Sequence, residues 1–519
     1  MSPVLTILLL APLVLLCASA AYALRLVGTT QRRSGVSEAA ALAALAFATV
    51  SGLLMLTDGP VTLQASAAPW LALRLDPVSA TMMLLVAFVG WIVMRYSRTY
   101  LDGEPREAVF HARMLATLAA VLLLVLSGSL VVLAAAFMLV GMSLRSLLLF
   151  YDDRPEARRA ATKFTLVWGL ADVALIGATA LFWLDQGSVV IADIAAGAQD
   201  GLSYAGSAAV ALLVLVAALK TAAFPVHGWL TEVMEAPTPV SALLHAGIIN
   251  SGGFVLIRMA EAVQATPGAM AALVMIGGFT ALFGAVVMLT QNAVKTALAW
   301  STISQMGFML LQCGLGLWAL ALLHIVAHSL YKAHAFLSSG SAIGAVASVR
   351  RPGPVAAPNF KAVAKAFGIA LVLYGVVAGG FIALIGPKSA QALALGVILI
   401  FGVAYLIAQG LADAAPAELT KRTTLTSLAA ALAYFAFQLV AKGLWGASLP
   451  EPPVPGALEW AMIVLALMSF GLVAVAQALF PLWAHHPSTA GLRVHIANGL
   501  YLNTLLDRLI GGLRVQKHS

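Results

Sequence analysis

The sequence predicts an all-helical, polytopic transmembrane bundle, and three observations support this fold class. Hydrophobic residues make up 61% of the 519-residue chain and charged residues only 10%, with a mean hydropathy of +0.97. Apolar runs of about 20 residues, each long enough to cross a bilayer as a helix, recur from one end of the chain to the other. Arg and Lys collect in every second connecting loop. We expect about fifteen spans and no soluble domain of useful size between them.

The alternation of basic loops also predicts an orientation. Arg95 with Arg98, and Arg154 with Arg158, mark loops that the positive-inside rule assigns to the cytoplasm of a bacterial inner membrane. The N-terminus is then outside the cell membrane and the C-terminus inside. These loops account for most of the formal net charge of +8, so the basic balance indicates contact with membrane lipid and gives no reason to expect nucleic acid.

Two ionisable residues inside apolar runs indicate an ion path. Lys220 ends the run ALLVLVAALK and precedes TAAFPVHGWLTEVMEAPTPV, in which Pro225, Pro237 and Pro239 must interrupt or end helices. Asp172 lies well inside LVWGLADVALIGATALF. An ionisable side chain at the bilayer centre costs roughly 2.5–3.5 kcal/mol, so we predict that Asp172 is the counter-charge of Lys220 beside a broken helix. The alternatives are that Lys220 reaches an interface and that Asp172 makes a structural hydrogen bond.

Further titratable residues lie in other spans. His324, His328 and Lys332 follow one another at intervals of four residues and therefore share one helix face, which could line a hydrated channel. Imidazole suits proton relay because its unperturbed pKa lies near neutrality. A metal site is the alternative, but the neighbouring Lys would repel a cation. His245 and Lys295 complete the set, although each alone is also typical of a helix-helix hydrogen bond or a loop end.

Three stretches of this set resemble the antiporter-like membrane subunits of respiratory complex I, multisubunit sodium/proton antiporters and inorganic-carbon pumps. They are KTAAFPVHGWLTEVMEAPTPVSALLHAG (220–247), QNAVKTALAWSTISQMGFM (291–309) and HIVAHSLYKAHAFLSSG (324–340). The resemblance covers roughly residues 70–345. It implies a core of two inverted helical repeats with broken helices. It also implies Lys220 as the broken-helix lysine, Lys295 and Lys332 as central lysines, and His245, His324 and His328 as relay positions.

The chain departs from this family at one important position. Where the family usually has a Trp-Glu pair, FMLVGMSLRSLLLFY places Leu139 and Val140, so the usual carboxylate partner of the broken-helix lysine is missing. Asp172 could replace it, and Arg145 adds a positive charge close by in the sequence. Lys388 in IGPKSAQ is a candidate for the charged position of the second broken helix.

Three features most resemble the membrane subunit of inorganic-carbon accumulation complexes. They are the missing Glu, the end of the chain without a long lateral helix, and the sequence MEAPTPVSALLHAGIINSGG. That resemblance implies a large zinc-containing, carbonic-anhydrase-like partner, with cation flow through this chain driving one-way carbon dioxide hydration. We expect no metal, cofactor or enzyme active site in the chain itself. The alternatives are a proton-pumping subunit of complex I or of a sodium/proton antiporter, and a non-transporting membrane scaffold for an enzyme.

The expected organisation has four parts. Residues 1–110 form N-terminal transmembrane helices, 111–415 the antiporter-like core, 416–490 C-terminal transmembrane helices and 491–519 a cytoplasmic amphipathic tail. The tail carries an apolar stripe, made of Leu502, Leu505, Leu506, Leu509 and Ile510. This stripe suits a helix at the membrane interface, and docking of a partner is the alternative.

Overall fold

The computed structural model describes residues 3–27, 30–339, 359–410, 417–479, 483 and 486–509, and most of them are helical. The first third of the chain contributes long helices joined by short connections. These helices are α1 (Pro3–Ala23), α2 (Thr30–Asp58), α3 (Pro77–Tyr100), α4 (Glu107–Val125), α5 (Leu130–Leu148) and α6 (Pro155–Gln186).

The central part alternates short and long helices. The short ones, with the medium-length α8, are α7 (Ile191–Gln199), α8 (Tyr204–Lys220), α9 (Gly228–Glu232), α10 (Thr238–Ala246), α11 (Ser251–Arg258) and α12 (Ala260–Gln264). One-turn 3₁₀ helices at Val233–Glu235 and Ile248–Asn250 join some of them. The long helices are α13 (Pro267–Met288), α14 (Val294–Gly314) and α15 (Trp318–Ser338).

The last third contributes four long helices and a short terminal pair. They are α16 (Phe360–Ile385), α17 (Ala390–Gly410), α18 (Ala417–Trp445), α19 (Ala457–Ala478), α20 (Ala490–Ala497) and α21 (Leu502–Leu509). Pro487–Thr489 and Gly499–Tyr501 form 3₁₀ turns before α20 and α21. Lys388 lies in the connection between α16 and α17, so it does not occupy a break inside a helix. Ile510 and the rest of the tail lie outside the described residues.

The polytopic helical prediction is confirmed. Within the described part of the chain, eleven helical segments are long and apolar enough to cross a membrane, so the count of about fifteen stays a prediction. The outer surface is strongly apolar: Val372 and Val376 on α16 are 68% and 69% exposed, and Met468 and Leu472 on α19 are 70% and 72% exposed. Pairs four residues apart on one helix face form the continuous apolar surface that lipid covers.

The structure adds a two-stranded hairpin to the helical prediction. Strands β1 (Val61–Ala65) and β2 (Ala68–Leu75) pair antiparallel between α2 and α3. The connection between α4 and α5 then pairs with β2, since the Gly128 N–H donates to the Ala72 carbonyl at 2.8 Å and Ser129 Oγ donates to the Trp70 carbonyl at 2.6 Å. The hairpin thereby fixes the starts of α3 and α5 to each other.

Asp76, directly after this hairpin, is the buried anchor of α3. Its side chain accepts from the Ser79 N–H in a capping box, and it pairs with Arg258 of α11 at 2.6 Å and with Arg74 at 2.9 Å. Burial opposes ionisation of this carboxyl, but the Arg258 charge, the Ser79 N–H and the Arg74 charge outweigh it and hold its pKa below the ordinary value. A carboxylate between two guanidinium groups therefore joins α3 to α11.

Helices α13 and α14 pack backbone to backbone along glycines seven residues apart. A Cβ on Gly277 would lie 2.5 Å from the Leu311 nitrogen, and one on Gly307 would lie 2.4 Å from the Ala281 nitrogen. Gly284 and Gly314 make similar close approaches. Small residues at such a contact let two membrane helices approach more closely than larger side chains allow.

This glycine contact predicts a sharp difference between neighbouring positions. Gly277→Ala forces a methyl group against backbone atoms, and we expect a loss of about 1–3 kcal/mol of stability. Gly278→Ala is the matched control, because a Cβ there meets no atom within 4 Å. Melting temperatures of the two variants in detergent micelles give the comparison, and equal values would contradict the contact.

Candidate functional site

Helix α8 ends at Lys220, and the chain then turns through seven residues before α9 begins. Pro225 lies in this turn, as the sequence predicts, and Ala222 adopts a left-handed backbone conformation with φ of 53°. The freed polar groups find partners in the protein: the Trp229 indole N–H donates to the Leu219 carbonyl at 3.3 Å and the Phe224 N–H donates to Thr280 Oγ1 at 3.1 Å. A broken helix is tolerated inside a membrane only when such partners exist.

Lys220 and Asp172 form an ion pair at this break. Lys220 Nζ lies 2.5 Å from Asp172 Oδ1, the lysine side chain is fully buried, and the aspartate side chain is 17% exposed. The ammonium also lies 3.9 Å from the centre of the Trp168 ring and 4.6 Å from that of Phe137. Cation–π contact of this kind stabilises a desolvated ammonium further. The pairing follows the prediction from sequence.

Asp172 also approaches α5, near the sequence position where the resemblance leads one to expect a Glu. Val140, which stands where the family has Glu, is buried in the core, and the next residue, Gly141, would place a Cβ 4.0 Å from Asp172 Oδ2. The carboxylate therefore reaches the space beside α5 from α6. Arg145 is exposed, so its charge is not buried with the pair.

A second group of predicted residues meets around α14. Lys332 is fully buried on α15, and its Nζ donates to the Leu298 carbonyl at 3.1 Å. Thr302 Oγ1 donates to the same carbonyl at 3.0 Å and lies 3.1 Å from His245 Nδ1. A Thr302 hydroxyl that donates to Leu298 can only accept from His245, and Nδ1 is then the protonated nitrogen of that ring. The His245 ring stacks on Phe336 with 4.3 Å between ring centres.

The side chain of Lys295 reaches the start of α10, where Pro237 and Pro239 also lie. Pro237 is the residue before α10 and Pro239 lies in its first turn, so both prolines begin a helix rather than interrupt one. Lys295 is half-buried and its Nζ donates to Thr238 Oγ1 at 3.2 Å. Lys295 thus ties the start of α14 to the first residue of α10.

A further break inside this region was not predicted from sequence. The segment from Thr238 to Arg258 is apolar enough to be one span, yet α10 ends at Ala246 and a 3₁₀ turn precedes α11. Asn250 in this turn donates to the Ala246 carbonyl at 3.0 Å and to Ser329 Oγ of α15 at 2.9 Å. The only signal in the sequence is the polar and glycine-rich stretch HAGIINSGG.

His324 and His328 face a cleft rather than the Lys332 contact. The cleft has a volume of about 680 Å³ and is lined by both histidines together with Gln312, Tyr331 and residues of α17 and α18. His324 Nδ1 lies 2.9 Å from Gln312 Oε1, and the centres of the two imidazole rings are 6.1 Å apart. Among the described residues, neither ring nitrogen of His328 has a hydrogen-bond partner. Both histidines therefore line the cleft, with His324 Nε2 and the two ring nitrogens of His328 buried.

The structure therefore brings the predicted residues together in separate groups. Within the described ranges, no hydrogen bond joins the Lys220 pair to the Lys332 contacts, so continuous conduction requires water between them. In the same ranges, no three His, Cys, Asp or Glu side chains are placed to hold a metal ion. Sequence reasoning missed Thr302, Asn250 and the buried Lys163.

A buried lysine-carboxylate pair at a broken helix, in a bundle of this kind, defines an antiporter-like, cation-translocating membrane subunit. Residues 127–352 match the family model "NADH:quinone oxidoreductase/Mrp antiporter, TM", and residues 65–111 match "NADH-Ubiquinone oxidoreductase (complex I), chain 5 N-terminus". The chain belongs to this family, which also includes the DabB subunits and chain 5 of complex I.

Relatives in the family support the resemblance seen in the sequence. The chain is 38% identical over 448 residues to the probable inorganic carbon transporter subunit DabB2 of Halothiobacillus neapolitanus, covering 85% of this chain and 80% of that protein. It is 42% identical over 287 residues to the probable inorganic carbon transporter subunit DabB of Hydrogenovibrio crunogenus, 55% of each chain. It is also 38% identical over 283 residues to NAD(P)H-quinone oxidoreductase subunit 5 of Zygnema circumcarinatum, covering 53% of this chain and 40% of that protein.

Solved structures share the fold. A chain of the Mrp complex from Dietzia sp. superimposes with a TM-score of 0.59 at 24% identity, over 97% of this chain and 56% of that one. A chain of the membrane-bound sulfane sulfur reductase, an archaeal respiratory membrane complex, gives 0.59 at 18% identity, over 99% and 86%. The fold is therefore that of antiporter-like subunits.

The ion pair predicts non-additive effects on stability. Asp172→Asn leaves the buried Lys220 ammonium without its counter-charge, which we expect to cost about 3–5 kcal/mol. Adding Lys220→Met removes the uncompensated charge, so the double variant should recover most of that loss. Melting temperatures in detergent of wild type, both single variants and the double variant provide the test. A double variant as unstable as Asp172→Asn would show that the two charges do not interact.

Proposed function

We propose that this chain is the membrane subunit of an energy-coupled inorganic carbon pump and that it conducts protons or another cation to drive uptake. The observation that carries the proposal is the fully buried Lys220 paired with Asp172 at a helix break. The similarity to probable inorganic carbon transporter subunits over 85% of the chain supports carbon as the driven substrate.

In this proposal the Lys220 pair is the loading site. Asp172 is partly exposed while Lys220 is fully buried, so an arriving cation reaches the carboxylate first and competes with the ammonium for it. The aromatic rings of Trp168 and Phe137 contact the Lys220 ammonium and limit the other positions that it can occupy. Lys220 can then leave Asp172 only when a second positive charge replaces it there, because an unpaired carboxylate is costly in this environment.

Lys332 and His245 form the next site on the proposed ion path. Lys332 contacts the Leu298 carbonyl and His245 contacts the Thr302 hydroxyl bonded to that carbonyl, so a change in the Lys332 charge alters the hydrogen bonding of Thr302 and, through it, of His245. His324 and His328 line the cleft beside this site and would pass protons to water there. Lys295 holds the start of α10, which carries His245, in place.

We propose a large zinc-binding, DabA-like and carbonic-anhydrase-like subunit as the partner. The proposed partner supplies zinc chemistry to hydrate carbon dioxide, and this chain admits a cation down its gradient, which makes the reaction one-way. The complex lies in the bacterial inner membrane, with the N-terminus periplasmic and the C-terminus cytoplasmic. The core of residues 111–415 conducts the ion, flanked by helices 1–110 and 416–490, and the tail 491–519 lies on the cytoplasmic side.

The relay residues give a direct prediction of transport loss. In cells that carry this gene with its partner gene, Lys220→Met and Lys332→Met should each reduce bicarbonate accumulation to the level of cells lacking the genes, since both remove the exchangeable charge. Lys361→Met is the matched control, because Lys361 is exposed at the start of α16. Membrane yields of all variants should equal wild type. Wild-type accumulation in either buried-lysine variant would contradict the ion path.

The partner is tested by purifying a tagged chain from its native membrane, identifying co-purified proteins and measuring zinc. One large zinc-binding protein is expected. A set of quinone-reductase or sodium/proton antiporter subunits would overturn the carbon-pump proposal and leave the ion path, while full carbon uptake after removal of the buried charges would favour a scaffold.

A further inference from the structure

A second buried ion cluster lies on α6 at some distance from Asp172. Lys163 is fully buried and pairs with Glu232 of α9, and its Nζ lies 2.6 Å from Asp507 Oδ1 of α21. Asn503 of α21 accepts from Lys163 at 2.7 Å and donates to Glu232 Oε1 at 2.6 Å. Two of the four side chains in this cluster therefore come from the C-terminal helix.

Helix α21 supplies a second carboxylate to this cluster, in which Lys163 is fully buried and Arg159 is 39% exposed. Arg159 Nε lies 3.7 Å from the second oxygen of Glu232, so two cations face one carboxylate on the side of α6 and α9. Asp507, itself buried, supplies the second negative charge. A buried charge without a counter-charge is strongly destabilising, which gives a physical reason for α21 to stay bound.

The shapes of the two surfaces also match closely. A Cβ on Gly228, the first residue of α9, would lie 2.0 Å from Asn503 Oδ1. Gly499, with a φ of 57°, would place a Cβ 3.2 Å from the Trp300 ring of α14. Gln291 donates to the Ala497 carbonyl at 3.2 Å. The C-terminal segment is thus seated against both α9 and the start of α14.

Buried aromatic side chains connect this cluster to the Lys220 pair. The Trp168 ring contacts the Lys220 ammonium, and its centre lies 6.0 Å from the ring of Trp229, one turn before Glu232. The Phe164 ring, next to Lys163 in sequence, lies 4.8 Å from Trp168. Lys163 and Asp172 are about 14 Å apart along the axis of α6. These rings therefore form a continuous packed contact between the cluster and Lys220.

We infer that Lys163 and Glu232 form a second charge-pair site on the ion path, and that α21 completes this site through Asp507 and Asn503. The inference rests on the proposed ion-conducting function. Asp507 is a positioning residue, because it holds Lys163 beside Glu232 at the end of α9, the helix that follows the break. The polar side of α21 is thereby bound to the core, while Leu505 on the other side is 51% exposed and available to the membrane interface.

The first experiment tests the contact itself. In a Cys17→Ala background, which removes the exposed native thiol, Gly228→Cys with Asn503→Cys should form a disulfide under mild oxidation. A Cβ on Gly228 lies 3.3 Å from the Asn503 Cβ, close to the range of about 3.5–4.5 Å found in disulfides. Gly228→Cys with Thr504→Cys is the control pair, because Thr504 is exposed. Absence of the first cross-link in native membranes would overturn the docking of α21.

The second experiment tests the role in transport. Asp507→Asn should lower bicarbonate accumulation several-fold at unchanged membrane yield, Asp507→Glu should retain more of it because it keeps the carboxylate, and Arg508→Gln, altering an exposed neighbour, should equal wild type. Lys220→Met is measured in parallel. Wild-type accumulation in Asp507→Asn beside a loss in Lys220→Met would overturn the second site alone. Wild-type accumulation in Lys220→Met would overturn the ion path and the second site with it.

Discussion

The structure depends on one constraint: each charge that leaves water inside the bundle must meet an opposite charge or a set of polar groups. Lys220 meets Asp172, Asp76 meets two arginines, and Lys163 meets two carboxylates. Apart from the Asp76–Arg74 pair, each of these contacts joins segments that are separated in the chain. The polar contacts therefore fix the arrangement of helices that an apolar surface alone would leave free to slide, because lipid is as apolar as the helices themselves.

Lys332 satisfies the same constraint differently. Its ammonium is fully buried, and its hydrogen-bond acceptor is a backbone carbonyl that it shares with a threonine. A carbonyl dipole compensates a full charge less completely than a carboxylate does. The two lysines thus differ in how strongly their surroundings hold the charge.

Much of this arrangement is readable from the sequence, for identifiable reasons. The spans follow from composition, and the Lys220–Asp172 pair follows because two lone charges in apolar runs require each other. The contact between Lys163 and Asp507 could not be predicted, since more than three hundred residues separate them and Lys163 precedes the apolar run of α6, where a solvated charge is expected. The break after Ala246 was missed because its residues are apolar enough to continue a span. The apolar stripe of α21 suggested the membrane as its partner, whereas the structure shows its polar residues bound to the protein.

The glycine contact between α13 and α14 has a mechanical consequence. Two helices whose backbones touch at four places cannot rotate or slide past each other without collision, so they behave as one rigid body. Lys295, Thr302 and Gln312 all belong to α14 and must keep their mutual spacing through any working cycle. Any rearrangement during transport would then have to occur outside this pair of helices.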